Sequence, residues 1–199
     1  YGSASRGMVT AGLDGWRVST RYIDDDSFDQ DLMIEPIPNY IDRVWFDPSS
    51  ELQDKSDSRY GFVLHPVSVE EYEQRWPEGS KMGVSDGLDG EAYYDKAETI
   101  LVGELLYAEY EDRELVLMSN GQVYKVDEKF ESVADELLAM GITEKRRRMR
   151  KERKICSRFF DNSGWLEDDK DTVFSMIPVV PLYGNYKVVE NKVIYCGAV

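Results

Sequence analysis

The sequence predicts an α+β chain, mostly antiparallel strands and hairpins with a few short helices. Three observations carry that prediction. Short runs that alternate apolar with polar residues recur along the chain, turn residues break them at close intervals, and only two stretches switch to a helical period.

The first segment, through about residue 66, reads as β-rich. "GWRVSTRYID" (15–24) places Trp16, Val18, Thr20 and Tyr22 on one face and Arg17, Ser19 and Arg21 on the other, the pattern of a half-buried strand. "DLMIEPI", "RVWF" and "RYGFVLH" repeat it with Asp, Pro and Ser between them, as an antiparallel meander would. "SVEEYEQRW" (68–76) changes period: Ser68 followed by Glu71 is a capping box, and Pro77 with Gly79 stops the helix. Residues 78–95 hold Gly79, Gly83, Gly87 and Gly90 among Asp and Ser, too little apolar surface to pack, so a loop or linker is expected there. Three parts result: a β-rich segment 1–78, a Gly-rich linker 79–96 and a second α+β segment 97–199.

In that second segment "AETILVGELLYAEYED" is a long strand, and "ELVLMSNGQVYKV" is a hairpin with Asn120-Gly121 in a type I′ turn. Asp127 caps the helix "EKFESVADELLAM", whose Phe130, Val133, Ala134, Leu137 and Leu138 form one apolar face, and Gly141 ends it. A basic stretch, hairpins around "DNSG" and "VENK", and the Pro-broken run "FSMIPVVPLYG" complete the chain. The start at Tyr1 and the end in "IYCGAV" are expected of a piece of a longer protein.

Charge is the strongest compositional signal: 39 acidic residues against 24 basic give a net of −15 over 199 residues. Eight of the ten residues in "KRRRMRKERK" (145–154) are basic, so one cationic strand sits in an acidic body. A protein that coats DNA through phosphate contacts needs the opposite balance. No run approaches the roughly 20 apolar residues that span a bilayer, and no signal-peptide pattern is visible. Cys156 and Cys196 are too few for a disulfide scaffold or a zinc site, and two reduced, packed thiols are expected.

Reactive constellations are scarce. His65 is the sole histidine, in a strand-like run before Pro66, and reads as a satisfied structural residue. No P-loop or dinucleotide fingerprint is present, since the glycines of "GVSDGLDG" fit neither spacing. In "DDDSFDQD", Asp24, Asp25, Asp26, Asp29 and Asp31 invite a calcium or magnesium site. An EF-hand register from Asp24 to Glu35 fails, because Phe28 and Asp29 stand where a ligand and a glycine are needed. A solvated turn is the simpler reading, with a carboxylate-metal hydrolase as the alternative. Neither a catalytic residue, a cofactor nor a metal ligand is expected.

Alternation puts charge on both faces of the basic stripe, so it cannot lie in an apolar core. Arg146, Arg147, Arg148, Arg150, Lys151, Arg153 and Lys154 are the candidate subunit or partner contacts. Pairing with a carboxylate-rich strand such as "ELLYAEYEDRE", in this chain or a neighbour, is preferred over a nucleic-acid-binding module. "IPNYIDRVWFDPSS" (37–50) poses a last question, ligand site or structural corner.

The stretch 14–78 is similar, almost end to end, to the portal proteins of short-tailed, podovirus-type bacteriophages. Trp16-Arg17, Tyr22 to Asp26, Phe28 to Asp31, Ile37 to Asn39, Val44 to Pro48, Ser56-Asp57 and Ser68 to Pro77 fall in the order of that family's motifs. The second half resembles it in plan, with the "S-N-G" hairpin, a helix, an Arg-rich strand, "IPVVPLYG" and "VIYCG". The resemblance makes "VWFDPSS" a structural corner, Pro48 stopping an apolar strand end packed by Trp45 and Phe46. It implies a non-enzymatic subunit of a ring, dodecameric for the full-length parent, at the capsid portal vertex of the virion and made in the bacterial host cytoplasm. Implied partners are terminase, a tail adaptor protein, capsid and scaffolding proteins, and double-stranded DNA passing without sequence-specific binding; no membrane is involved. A wing-like place for 1–78 and a tail-proximal, clip-like place for 97–199 follow.

Overall fold

The computed structural model describes residues 2–81, 83–84, 99–190 and 192–197. Helix α1 (Gly2–Ala11) opens the chain, where the strand pattern offers no sign of it. Then follow β1 (Leu13–Tyr22), β2 (Gln30–Pro36), a 3-10 turn at Tyr40–Asp42, β3 (Val44–Phe46), β4 (Tyr60–Ser68) and helix α2 (Val69–Arg75). From residue 99 come β5 (Thr99–Met118), β6 (Val123–Lys125), helix α3 (Glu128–Ala139) and β7 (Glu144–Asp161). The short strands β8 (Gly164–Trp165) and β9 (Lys170–Asp171), then β10 (Val179–Tyr183), β11 (Asn185–Val189) and β12 (Lys192–Cys196), complete it. Most of the expected linker, residue 82 and residues 85–96, lies outside the described residues.

The α+β, mainly antiparallel class holds. The single meander does not: β1 pairs with β2 on one side and, from the far end of the chain, with β10 on the other, while β3 and β4 belong to a second sheet. That sheet runs β3-β4-β5-β7-β8, with β6 on β5 and β9 on β7, and β11 and β12 form a separate hairpin. Burial along β1 also departs from simple alternation. Gly15 is buried and Tyr22 is 55% exposed, and every residue of its edge neighbour β2 is exposed, Leu32 at 67%. Among the described residues no further strand pairs with β2, so its apolar side chains have nothing to pack on.

By packing, the chain divides into Tyr1–Ala108 with Ile155–Val199, and Glu109–Lys154. Among the described residues, the larger unit has two buried clusters. Ile37, Tyr40, Val44, Val63, Leu106, Ile155, Ile177 and Val179 form one; Val67, Tyr72, Trp76, Ile100 and Val102 form the other, beneath α2. Helix α2 starts where the capping box places it, Glu71 N–H donating to Ser68 Oγ at 3.1 Å.

The Val44 to Ser50 stretch is a corner. Trp45 stacks on Phe62 at 4.9 Å, and Asp47, 4% exposed, turns the chain by accepting from Ser49 N–H at 2.9 Å, Ser49 Oγ at 2.6 Å and Arg59 Nε at 3.0 Å. The Ser49 bonds come first among the effects that hold its pKa down, to about 2, and Arg59 adds to them. Its polar groups are spent on the chain itself.

The smaller unit, called the arm below, is built on residues 109–118 of β5 and 144–154 of β7, with β6 and α3. Its β5–β6 hairpin forms at the Asn-Gly site, with Leu115 opposite Lys125 and Leu117 opposite Val123. The turn is not type I′, which needs positive φ at both central residues. Gly121 has φ 85 and Asn120 is not among the positive-φ residues; Gly121 N–H donates to Met118 O and Met118 N–H to Gln122 O. That is the three-residue loop with glycine in the left-handed position.

Helix α3 is capped at both ends, Asp127 Oδ1 accepting from Phe130 N–H at 2.9 Å. Gly141 at φ 75 donates to Leu138 O while Ile142 N–H donates to Leu137 O, the paired bonds of a Schellman stop. Phe130 and Leu137 bury against Val116 and Met118 as the pattern requires, but Val133 and Leu138 face solvent, the latter 62% exposed. Replacing Asp127 with Ala removes the acceptor for the Phe130 amide and should cost about 1 kcal/mol in urea unfolding of the arm; an unchanged midpoint would count against the cap.

Candidate functional site

The basic residues lie where strand β7 runs through the arm, and residues 145–151 are all exposed. Strand alternation sorts them onto two faces. Arg147 reaches Glu144 at 2.8 Å and Glu114 at 3.5 Å, so the odd positions share a face with the even positions of β5. Lys154 reaches Glu111 at 3.6 Å, and Glu152 reaches Arg113 at 3.3 Å and Lys125 at 2.7 Å, which places the even positions of β7 on the opposite face.

Helix α3 covers the first of these faces, because Val116 and Met118 are even positions of β5. The other face carries Arg146, Arg148 and Arg150. Among the described residues, Arg146, Arg148 and Lys151 make no ion pair or hydrogen bond, and Arg150 acts on Glu152 only through its charge. Lys125 is the chief cause that holds the Glu152 carboxyl below its usual range, with Arg113 adding to it. Of the seven candidate contacts, then, Arg147 and Lys154 are engaged by the carboxylate-rich strand, Arg153 is half-buried with a partner, and Lys151 and the even-numbered arginines stand clear. Exposed ion pairs of this kind contribute little stability, so they leave most of the strand's charge available.

A second constellation, in the larger unit, escaped the sequence reading. Glu104 of β5 is 2% exposed and ionised, and three other strands converge on it. Arg17 of β1 grips it with both terminal guanidinium nitrogens, Nη2 to Oε1 at 2.7 Å; His65 Nε2 of β4 donates to Oε2 at 2.8 Å; Ser157 Oγ of β7 donates to Oε1 at 2.9 Å. Burial opposes the charge on Glu104, yet the His65 and Arg17 bonds outweigh it and drive the carboxyl pKa far below its ordinary value. Burial likewise opposes the Arg17 charge, and Glu104 outweighs it upward.

His65 is thus a satisfied structural histidine: its Nε2–H is spent on Glu104, which is not a nucleophile. The signal that could have found the cluster is Glu104 itself, one acid in the apolar run "ILVGELLY".

Asp161 repeats the theme at the far end of β7. It accepts from buried Tyr72 at 2.6 Å, from Ser80 at 3.2 Å and from Ser163 N–H at 2.7 Å, closing the β7–β8 turn. Burial pushes the Tyr72 hydroxyl up to about 12, reinforced by Asp161. The acidic turn between β1 and β2 differs: its bonds are local, Asp26 N–H to Asp24 Oδ1 and Asp29 N–H to Ser27 Oγ. Among the described residues no group of three or more His, Cys, Asp or Glu is arranged to hold a metal ion.

The sequence of all 199 residues matches the model of the phage P22-like portal protein family, and the chain belongs to that family. It is also 29% identical over 186 residues to the portal protein of Acyrthosiphon pisum secondary endosymbiont phage 1, covering 88% of this chain and 25% of that protein. The chain therefore spans about a quarter of the length of that relative. Family membership gives it a structural role in a phage portal.

Replacing Glu104 with Gln keeps the shape but strands the Arg17 charge, and should cost about 3 kcal/mol or more near neutral pH. Because the folded carboxyl titrates below its unfolded value of about 4.3, its contribution is present above that pH and is lost as pH falls through the folded pKa. The stability gap between wild type and E104Q should therefore be constant from pH 8 to 5 and narrow below about pH 4; a gap that widens on acidification would contradict the assignment.

Proposed function

We propose that this chain forms part of a portal subunit that closes, as a full-length protein, into a ring of twelve at one vertex of the phage capsid. Double-stranded DNA passes through the ring on packaging and ejection, terminase docks on it, and a tail adaptor protein attaches to it. Capsid and scaffolding proteins surround it in the virion, after synthesis in the bacterial host cytoplasm. The observation that carries this reading is the family match along all 199 residues.

Charge supports it. Residues 109–154 hold 11 acidic and 11 basic side chains, so the whole net charge of −15 resides in the larger unit. An anionic wall repels phosphates and lets a duplex slide, where a basic wall would trap it. No helix among the described residues is long and apolar enough to cross a membrane. Residues 1–78 take the wing-like place and 97–199 the tail-proximal place in this proposal, with the arm as the part of the second segment that packs by itself. Negative-stain microscopy of the full-length protein should show rings with a central hole; a monodisperse monomer at micromolar concentration would refute the reading.

A further inference from the structure

The arm is neutral as a whole but sharply divided. Strand residues 145–154 carry eight basic side chains and one acidic, and residues 127–136, the cap and most of α3, carry five acidic and one basic. On α3, Glu131, Asp135 and Glu136 are exposed, and Val133 and Leu138 lie exposed beside them. On the sheet face that α3 leaves bare, Arg146, Arg148 and Arg150 are exposed, with Val123 of β6 61% exposed on the same face. Helix and bare face are on opposite sides of one sheet, so the acids of a given α3 helix are on the far side from the free arginines of the same arm.

We infer that the bare arginine face of the arm, Arg146, Arg148 and Arg150, docks on the exposed acidic side of helix α3, Glu131, Asp135 and Glu136, of a second copy of this chain. Spacing favours the match. Same-face residues of a strand repeat every ~6.7 Å, and Glu131 and Asp135, one helical turn apart, are separated by about 6 Å. Arginine pairs with such carboxylates in a planar fork. Val123 and Leu138 bring an apolar contact to the same surfaces.

The equal counts of acid and base mean that a row of arms neutralises itself and needs no outside polyanion. Because the two surfaces differ, the contact is heterologous: each copy offers a helix to one neighbour and a strand to the other, the arrangement that repeats around a ring. The inference rests on the ring proposed above and names the contact that closes it.

The test uses the full-length protein in three forms: wild type, a basic-side variant with Arg146→Glu, Arg148→Glu and Arg150→Glu, and an acidic-side variant with Glu131→Lys, Asp135→Lys and Glu136→Lys. Wild type should sediment as the ring, and each variant alone should lose ring by about tenfold or more, since like charges then meet at every contact. An equimolar mixture of the two variants should assemble again, with copies alternating, because each new glutamate face meets a new lysine helix. That rescue also shows that both variants are folded.

Variants that assemble like wild type overturn the inference and leave the ring standing, as does a mixture that stays dissociated. Loss of duplex-DNA binding by the basic-side variant with its assembly intact assigns the strand to nucleic acid and likewise overturns it. A wild type that never forms rings removes the ring reading and the inference together.

Discussion

One buried carboxylate organises the larger unit. Glu104 sits at 2% exposure where β1, β4, β5 and β7 meet, and its charge survives only because Arg17, His65 and Ser157 supply donors from three other strands. An unpaired carboxylate in that position would be strongly destabilising, so the strands must come together with their polar atoms in register. Arg17 has the longest reach of consequence. It is the only one of the three donors on the sheet that β10 and β2 share, and through it that sheet is fastened to the one containing β4, β5 and β7. Apolar packing of Val63, Leu106 and Ile155 supplies the bulk of the stabilisation, and the ion pair selects which packing is allowed.

Much of the fold was legible because it is local. The Ser68 and Asp127 caps, the Gly141 stop, the turn around Asn120 and Gly121, and the corner at Asp47 and Pro48 depend on residues within a few positions of each other. Their chemistry is visible in the letters. What the sequence hid is long-range. Nothing near Leu13 to Arg17 says that Val179 to Tyr183 will pair with it, and the single meander failed for that reason. Arg17 reads as a solvent-facing residue until Glu104, 87 positions away, is brought beside it. Helix α1 escaped because "GSASRGMVTA" has two glycines and only the short, weak stripe of Ala4, Met8 and Ala11.

The basic stripe shows the same limit from the functional side. Composition located it, and alternation excluded it from a core, but only the side of the sheet taken by α3 distinguishes arginines that are paired from those left open. Phe130 and Leu137 choose that side by burying on Val116 and Met118. A packing decision made by apolar residues thereby sets which cations remain for a partner. The exposed Leu32 and Ile34 of β2 are the apolar counterpart, an edge strand with no described strand pairing beyond it.

Arg17 and Glu104 act as one unit across the two sheets. A double-mutant cycle in urea unfolding, with Arg17→Met, Glu104→Gln and the pair, measures that directly. A coupling of about 2 kcal/mol or more, with the double variant more stable than E104Q alone, is the predicted result. Two penalties that simply add, within ~0.5 kcal/mol, would show that the sheets are held by apolar packing alone and that the buried pair does not specify their junction.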